Sequence, residues 1–212
     1  MISKRRLLEG SCLYAILDKD FSGKRNISKI CKSALSGGAS LIQLRDKYSS
    51  AKEMIKTAKT LKAMARKHKA LFIVNDRLDV ALAVGADGVH IGQGDLDVSI
   101  ARRLMGRDAV IGVSVGSVKE AKRAKAEGAS YIGAGPIFKT PIKGSKPAKG
   151  IKLLARLKGI GIPTFAIGGI NRKNIRSLTS KGFNKVAVIR DICKASDAFL
   201  AACRLREALA LT

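Results

Sequence analysis

The sequence contains no tryptophan, and its three tyrosines and six phenylalanines bring aromatic content to 4% of 212 residues. Platforms for stacking nucleic-acid bases are therefore scarce. Histidine is equally sparse. Neither His68 nor His90 belongs to a recognisable Ser-His or Cys-His arrangement, which disfavours nucleophilic hydrolysis and favours chemistry that needs little proton transfer. Cys12, Cys31, Cys193 and Cys203 form no C-x-x-C pair and have no histidine at ligand spacing. This speaks against structural zinc and for core-filling thiols in a reducing compartment. No apolar run approaches about 18 residues, and no signal-length apolar stretch follows Lys4, Arg5 and Arg6. The expectation is a soluble, cytoplasmic protein with no membrane partner.

Acidic residues are the other shortage: 16 Asp and Glu against 41 Lys and Arg, a formal charge of +25. Such an excess by itself suggests a polyanionic partner. Its distribution argues otherwise. Lys52, Lys56, Lys59, Lys62, Arg66 and Lys69 recur at helical spacing and form a solvated face, so no specific nucleic-acid binding is expected. Attraction of anionic small molecules is the more economical use of the charge. Homo-oligomerisation is left open.

What the chain has is eight short apolar runs, at 13–18, 41–47, 71–76, 88–95, 110–114, 131–136, 165–169 and 186–191, most ending in polar residues or glycine. Continuous apolar runs bounded by turn signals suit strands buried on both faces. Helical periodicity fills the gaps at 26–38, 50–68, 78–84, 98–105 and 117–127. Glycine-led copies at Gly38-Ala39-Ser40, Gly85-Ala86-Asp87 and Gly128-Ala129-Ser130 each lead into a strand. The expected fold is α/β, a single (β/α)8 TIM barrel with eight parallel strands, one domain over 1–212 with its core at about 12–206. An open doubly wound sheet is the runner-up, but no G-x-G-x-x-G follows the first strand. One long connection, 137–149, rich in lysine, is expected to be an active-site lid over an anionic substrate.

Barrel chemistry sits at the C-terminal ends of the strands. On the second strand Gln43, Arg45 and Lys47 alternate with Leu44 and Asp46, so period two sends the three long polar side chains to one side. Two cations there suit a phosphate or diphosphate. Asp76 and Asp95 follow adjacent strands, and a magnesium ion is an economical reason to bring two carboxylates together. Each could instead cap the helix that follows it. His90, inside its strand, is expected to be a hydrogen-bonded core group, and His68 to lie on the surface. Gly168-Gly169 and Ile189-Arg190 end strands seven and eight, where barrels of this kind often bind phosphate. Two phosphate sites imply two phosphorylated substrates joined between them.

The ordered series Gln43-Leu44-Arg45-Asp46-Lys47, Val74-Asn75-Asp76-Arg77, Gly88 through Asp95, Gly112-Val113-Ser114, Gly133 through Lys143 and Ala166 through Ile170 resembles the thiamine phosphate synthase family over nearly the whole chain. That resemblance implies a TIM barrel joining hydroxymethylpyrimidine diphosphate to thiazole phosphate with Mg2+, through loss of the diphosphate and capture of a pyrimidine methylene cation. It implies that Gln43, Leu44, Arg45, Asp46, Lys47, Asn75, Ser114 and Lys143 hold the pyrimidine diphosphate, with Arg45, Lys47, Ser114 and Lys143 catalytic. Asp76 and Asp95 hold the metal, and Thr140, Pro141, Ile142, Gly169, Ile189 and Arg190 the thiazole phosphate. Ile142 stands where the family commonly has threonine, Arg190 where serine is usual, and Gly94 where an acid is frequent. Thiazole tautomerase, a relative on the same barrel, is the nearest rival. It lacks an aspartate matching Asp95 and carries a histidine where Gly116 stands. A basic nucleic-acid-binding protein on a non-catalytic barrel rests on charge alone.

Overall fold

A computed structural model describes residues 3–23, 25–141 and 147–210. Its eight strands are β1 (Leu13–Asp18), β2 (Leu41–Arg45), β3 (Leu71–Asn75), β4 (Gly88–Ile91), β5 (Val110–Val115), β6 (Tyr131–Ala134), β7 (Thr164–Ile167) and β8 (Val186–Val188). Each pairs in parallel with the next, and β8 pairs with β1, so the sheet closes in sequence order and leaves no open edge. The TIM barrel expected from the sequence is the fold found. Closure explains the apolar runs, because helices cover one face of every strand and the barrel interior covers the other. All six residues of β1 are buried.

Local sequence sets the ends of the crossover helices. The helix α1 (Lys4–Gly10) precedes the barrel, α2 (Lys19–Ser22) is a single turn, and α3 (Ile27–Ser36) starts where the Asn26 side chain accepts from Ser28 N and Lys29 N. In α4 (Ala51–Lys67), Ser50 and Glu53 form a reciprocal capping box, and Met54, Ala58, Leu61 and Ala65 form the buried stripe. α5 (Leu78–Val84) stops at Gly85 in the left-handed conformation. The remaining helices are α6 (Val98–Met105), α7 (Val118–Ala126), α8 (Gly150–Arg156), α9 (Arg176–Thr179), α10 (Arg190–Cys193) and α11 (Ala198–Ala210). One detail departs from the sequence reading. α1 has no counterpart in it, because a seven-residue helix with one buried side chain, Leu8, carries almost no periodic signal. Among the described residues no helix is long and apolar enough to cross a membrane.

Three of the nine aromatic residues meet in the barrel interior. Tyr14, Tyr131 and Phe165 are fully buried and meet edge to face, with centroids 5.5–5.9 Å apart. Glycine on the neighbouring strand makes this possible: a Cβ at Gly112 would lie 2.0 Å from Tyr131 Cζ. Gly112→Ala must push that ring aside, and we expect urea denaturation to show a loss of about 1–3 kcal/mol, as overpacked cores do.

Candidate active site

The C-terminal ends of the strands open into a cavity of about 1530 Å3. Gln43, Arg45, Lys47, Asn75, Asp76, Asp95, Ser114, Thr140, Gly169, Ile189 and Arg190 all line it, drawn from six different strands or their following loops and from the root of the 137–149 connection. Period two has the expected effect on β2 and also a corrective one. Leu44 is fully buried in the hydrophobic core and does not line the cavity. Asp46 also lies off it, accepting from Tyr48 N at 3.2 Å and Ser49 N at 3.0 Å, with Lys19 Nζ 3.3 Å away. Burial raises the Asp46 carboxyl pKa, but the bonds from Ser49 and Tyr48 and the neighbouring Lys19 outweigh it and hold the group below the ordinary carboxylate range. Leu44 and Asp46 are therefore supports of the β2 edge, not cavity groups. Pro141 is exposed and not part of the cavity wall. Ile142 and Lys143 lie outside the described residues.

Arg45 is aimed by a residue that the sequence reading left without a role. The β1–β2 register sets Asp18 opposite Arg45, and the buried Asp18 carboxylate accepts from an Arg45 guanidinium nitrogen while also accepting from Asp20 N at 2.9 Å. The guanidinium is thus held at one end and partly open at the other. A signal was present, since Asp18 ends its strand as Arg45 ends the next, but only the register shows that they meet.

Asp76 follows β3 with φ +58°, a left-handed conformation uncommon outside glycine, asparagine and aspartate. Its amide donates to His90 O at 2.9 Å, which fastens the turn to β4. Neither acid is a helix cap. Arg77 occupies the cap position of α5 and Asp97 that of α6, both without a side-chain capping bond. Asp95 instead accepts from Gly92 N at 2.6 Å and turns back towards Asp76. Burial, the hydrogen bond with Asp95 and the charge of Asp95 push Asp76 up to about 6, against smaller opposing effects of Lys47 and Asn75. Two carboxylates facing one another in a cavity, one of them with a raised pKa, fit a divalent cation whose charge would relieve their repulsion. Among the described residues no cluster of three or more His, Cys, Asp or Glu could hold a metal. The pair thus matches a hard cation that keeps waters and borrows substrate oxygens, and not a closed zinc cage.

Ser114 is linked to the barrel interior through His90, whose Nε2 lies 3.0 Å from Ser114 Oγ and whose Nδ1 lies 3.0 Å from Tyr131 Oη. His90 is buried and hydrogen-bonded, as expected, and it also borders the cavity. Gln93 ties the neighbouring loops together, donating to Ser114 O at 2.8 Å and accepting from Arg123 at 2.7 Å. Across the cavity, Gly168 and Gly169 have φ values of +101° and +67°. A Cβ on Gly169 would lie 2.6 Å from Lys139 O, so glycine allows the root of the 137–149 loop to cross close above β7. Ile137 N donates to Ile167 O at 2.8 Å and Phe138 N to Gly168 O at 3.0 Å, stitching that crossing in place. Ile189 and Arg190 open α10, and Arg190 is exposed on the cavity side.

Comparison with known families decides which barrel this is: the family described as thiamine monophosphate synthase matches residues 13–192. The chain belongs to that family. A thiamine-phosphate synthase of Methanoregula boonei is 45% identical over 197 residues, covering 92% of this chain and 91% of the relative. One of Thermosynechococcus vestitus is 43% identical over 92% of this chain, which spans only 55% of that longer relative. Among solved structures, thiamine phosphate pyrophosphorylase from Pyrococcus furiosus superposes with a TM-score of 0.87 at 37% identity, covering 97% of both chains. The thiamine phosphate synthase resemblance and the barrel were thus both legible in the motifs.

The raised Asp76 pKa has a consequence for the metal-free protein. Between the unfolded value near 3.8 and the folded value near 6 the native Asp76 holds a proton that the unfolded chain has released, so stability falls as pH rises through that window. Asn tolerates the left-handed backbone and mimics the protonated acid. Thermal unfolding in chelator should show Asp76→Asn stabilised by about 1 kcal/mol at pH 8, after allowance for solvent screening, with the gain vanishing below about pH 4.

Proposed function

We propose that this member of the thiamine phosphate synthase family joins 4-amino-2-methyl-5-hydroxymethylpyrimidine diphosphate to 4-methyl-5-(2-hydroxyethyl)thiazole phosphate, giving thiamine monophosphate and pyrophosphate. It is a transferase of thiamine biosynthesis. The observation that carries the site assignment is one cavity with two differently built ends: Arg45, Lys47, Asp76 and Asp95 on one side, Gly169 and Arg190 on the other. In this reading the first end takes the diphosphate and the second the thiazole phosphate.

The bond between the pyrimidine methylene carbon and the diphosphate oxygen breaks, and its electron pair leaves with the diphosphate. The lone pair of the thiazole nitrogen then closes on the methylene cation, so no net proton transfer is required. Arg45, fixed by Asp18, and Lys47 would meet the charge that grows on the leaving oxygens, and the family resemblance adds Lys143 to that set. Asp76 and Asp95 would hold Mg2+, which when bound supplies Lewis-acid stabilisation of the diphosphate. Asn75, Gln43 and Ser114 would orient the pyrimidine, and Thr140 and Ile189 would flank the thiazole. No ion pair reaches Arg190 among the described residues, which leaves its guanidinium available to the second phosphate. The excess of positive charge would raise the local concentration of both anionic substrates. Four free cysteines support a reducing, cytoplasmic location.

The tautomerase alternative is disfavoured by the loop after β5. Gly116 stands where that relative has its histidine, and its amide donates to Glu120 Oε2 at 2.6 Å. Product formation from the two substrates should require magnesium, and its absence at saturating metal in folded protein would reject the synthase reading. Asp95→Asn keeps an acceptor for Gly92 N while removing the charge. It should lower kcat by about a hundredfold or more with little change in melting temperature, in the range found when a charge-stabilising group is lost. Arg190→Ala should raise KM for thiazole phosphate by about tenfold and leave KM for the pyrimidine diphosphate unchanged, as loss of a charge-assisted contact does.

A further inference from the structure

Beneath the cavity floor, five side chains from five strands form a continuous hydrogen-bonded chain whose three middle members, Tyr14, Tyr131 and His90, the chemistry above does not use. Gln43 Nε2 donates to Tyr14 Oη, which lies 2.8 Å from Tyr131 Oη. Tyr131 Oη is 3.0 Å from His90 Nδ1, and His90 Nε2 is 3.0 Å from Ser114 Oγ. The path runs β2, β1, β6, β4, β5, and both of its ends, Gln43 and Ser114, are cavity-wall residues. Gly112 keeps the path intact by leaving room for the Tyr131 ring, and Gly133 leaves room for His90, whose Cε1 would lie 3.2 Å from a Cβ there.

Such a chain has a direction, because each phenol carries one proton. An amide nitrogen can only donate, so Tyr14 accepts from Gln43 and its own proton goes to Tyr131. Tyr131 in turn gives its proton to His90 Nδ1. Burial pushes the pKa of both tyrosines up, and Tyr131 is raised further by Tyr14, so neither becomes a phenolate that could reverse the order. The His90 ring is then protonated on Nε2, and that N–H donates to Ser114 Oγ. The hydroxyl proton of Ser114 is left for a ligand, as is the Oε1 acceptor of Gln43.

We propose that Tyr14, Tyr131 and His90 are positioning residues that lock His90 in its Nε2–H tautomer and so present the cavity with a hydrogen-bond acceptor at Gln43 and a donor at Ser114. The complementary ligand is a ring offering an amino N–H to the β2 wall and a ring-nitrogen lone pair to the β5 wall, which is an aminopyrimidine. The opposite polarity would need Gln43 to turn its amide over. It would present a donor at Gln43 and an acceptor at Ser114, complementary to an oxo-substituted ring. The identification of the ring rests on the synthase reading; the polarity of the chain does not.

Two histidines make the test direct. In protein labelled with 15N-histidine, with His68 assigned through His68→Gln, two-bond proton–nitrogen correlation at pH 8 should show His90 protonated on Nε2. A His90 protonated on Nδ1 overturns the proposal. Tyr131→Phe and Tyr14→Phe keep the ring volumes and cut the chain at different points. Each should raise KM for the pyrimidine diphosphate about tenfold, as loss of a buried hydrogen-bond partner does, without raising KM for thiazole phosphate. Tyr131→Phe should also shift the His90 tautomer, a change that a merely structural hydroxyl would not cause. If both folded variants retain wild-type KM and the wild-type tautomer, the positioning role is rejected. If the wild-type protein shows the Nε2–H tautomer but forms no thiamine phosphate, the synthase reading fails while the polarity stands.

Discussion

The hydrogen bonds between β1 and β8, which set Leu13 opposite Val186 and Ala15 opposite Val188, close the sheet, and nearly everything functional in this chain follows from that closure. An open sheet would spread the eight strand ends along a line. A closed one gathers them around a single mouth, so that residues as far apart in sequence as Gln43 and Arg190 share a cavity. Closure also creates an interior that must be filled, and three large rings, Tyr14, Tyr131 and Phe165, meet there in the space that Gly112 leaves open.

Within that mouth, charges are arranged against the bulk character of the molecule. The chain as a whole is strongly basic, yet the cavity contains two acids close enough to share a proton. The cations beside them are treated differently from those on the helices. Arg45 is pinned by the buried Asp18, whereas Lys52, Lys56, Lys59 and Lys67 of α4 are exposed on a solvated face. A fixed guanidinium loses less freedom when an anion arrives, which makes it a better partner for a leaving diphosphate than a larger number of mobile lysines.

The strand ends were readable because burial on both faces leaves a continuous apolar run, and a polar residue at its close has few reasons to be there except function or capping. Gln43, Arg45, Asp76 and Asp95 stood out for that reason, and Ser114 through the family resemblance. Capping and cavity placement look alike in a sequence at Asp76 and Asp95, and the backbone separated them by assigning both caps to other residues. Leu44 and Asp46 lie in the same motif as Arg45, but the pleat sends their side chains the other way. Asp18, Tyr14 and Tyr131 were missed as site supports because each acts through a partner on another strand: the β1–β2 register pairs Asp18 with Arg45, and barrel closure brings Tyr14 to Tyr131 across the interior.

By itself, the sequence determined the repeating strand and helix order, the barrel class, the family and the identity of the polar groups at the strand ends. These are encoded locally, in runs of five or six residues whose burial and turn chemistry do not depend on distant parts of the chain. Tertiary structure alone decided which of those groups meet: Asp18 with Arg45, Asp76 with Asp95, and the buried path from Gln43 to Ser114. Charge sharing and proton direction are properties of pairs a few ångströms apart, and such distances exist only once the barrel has closed.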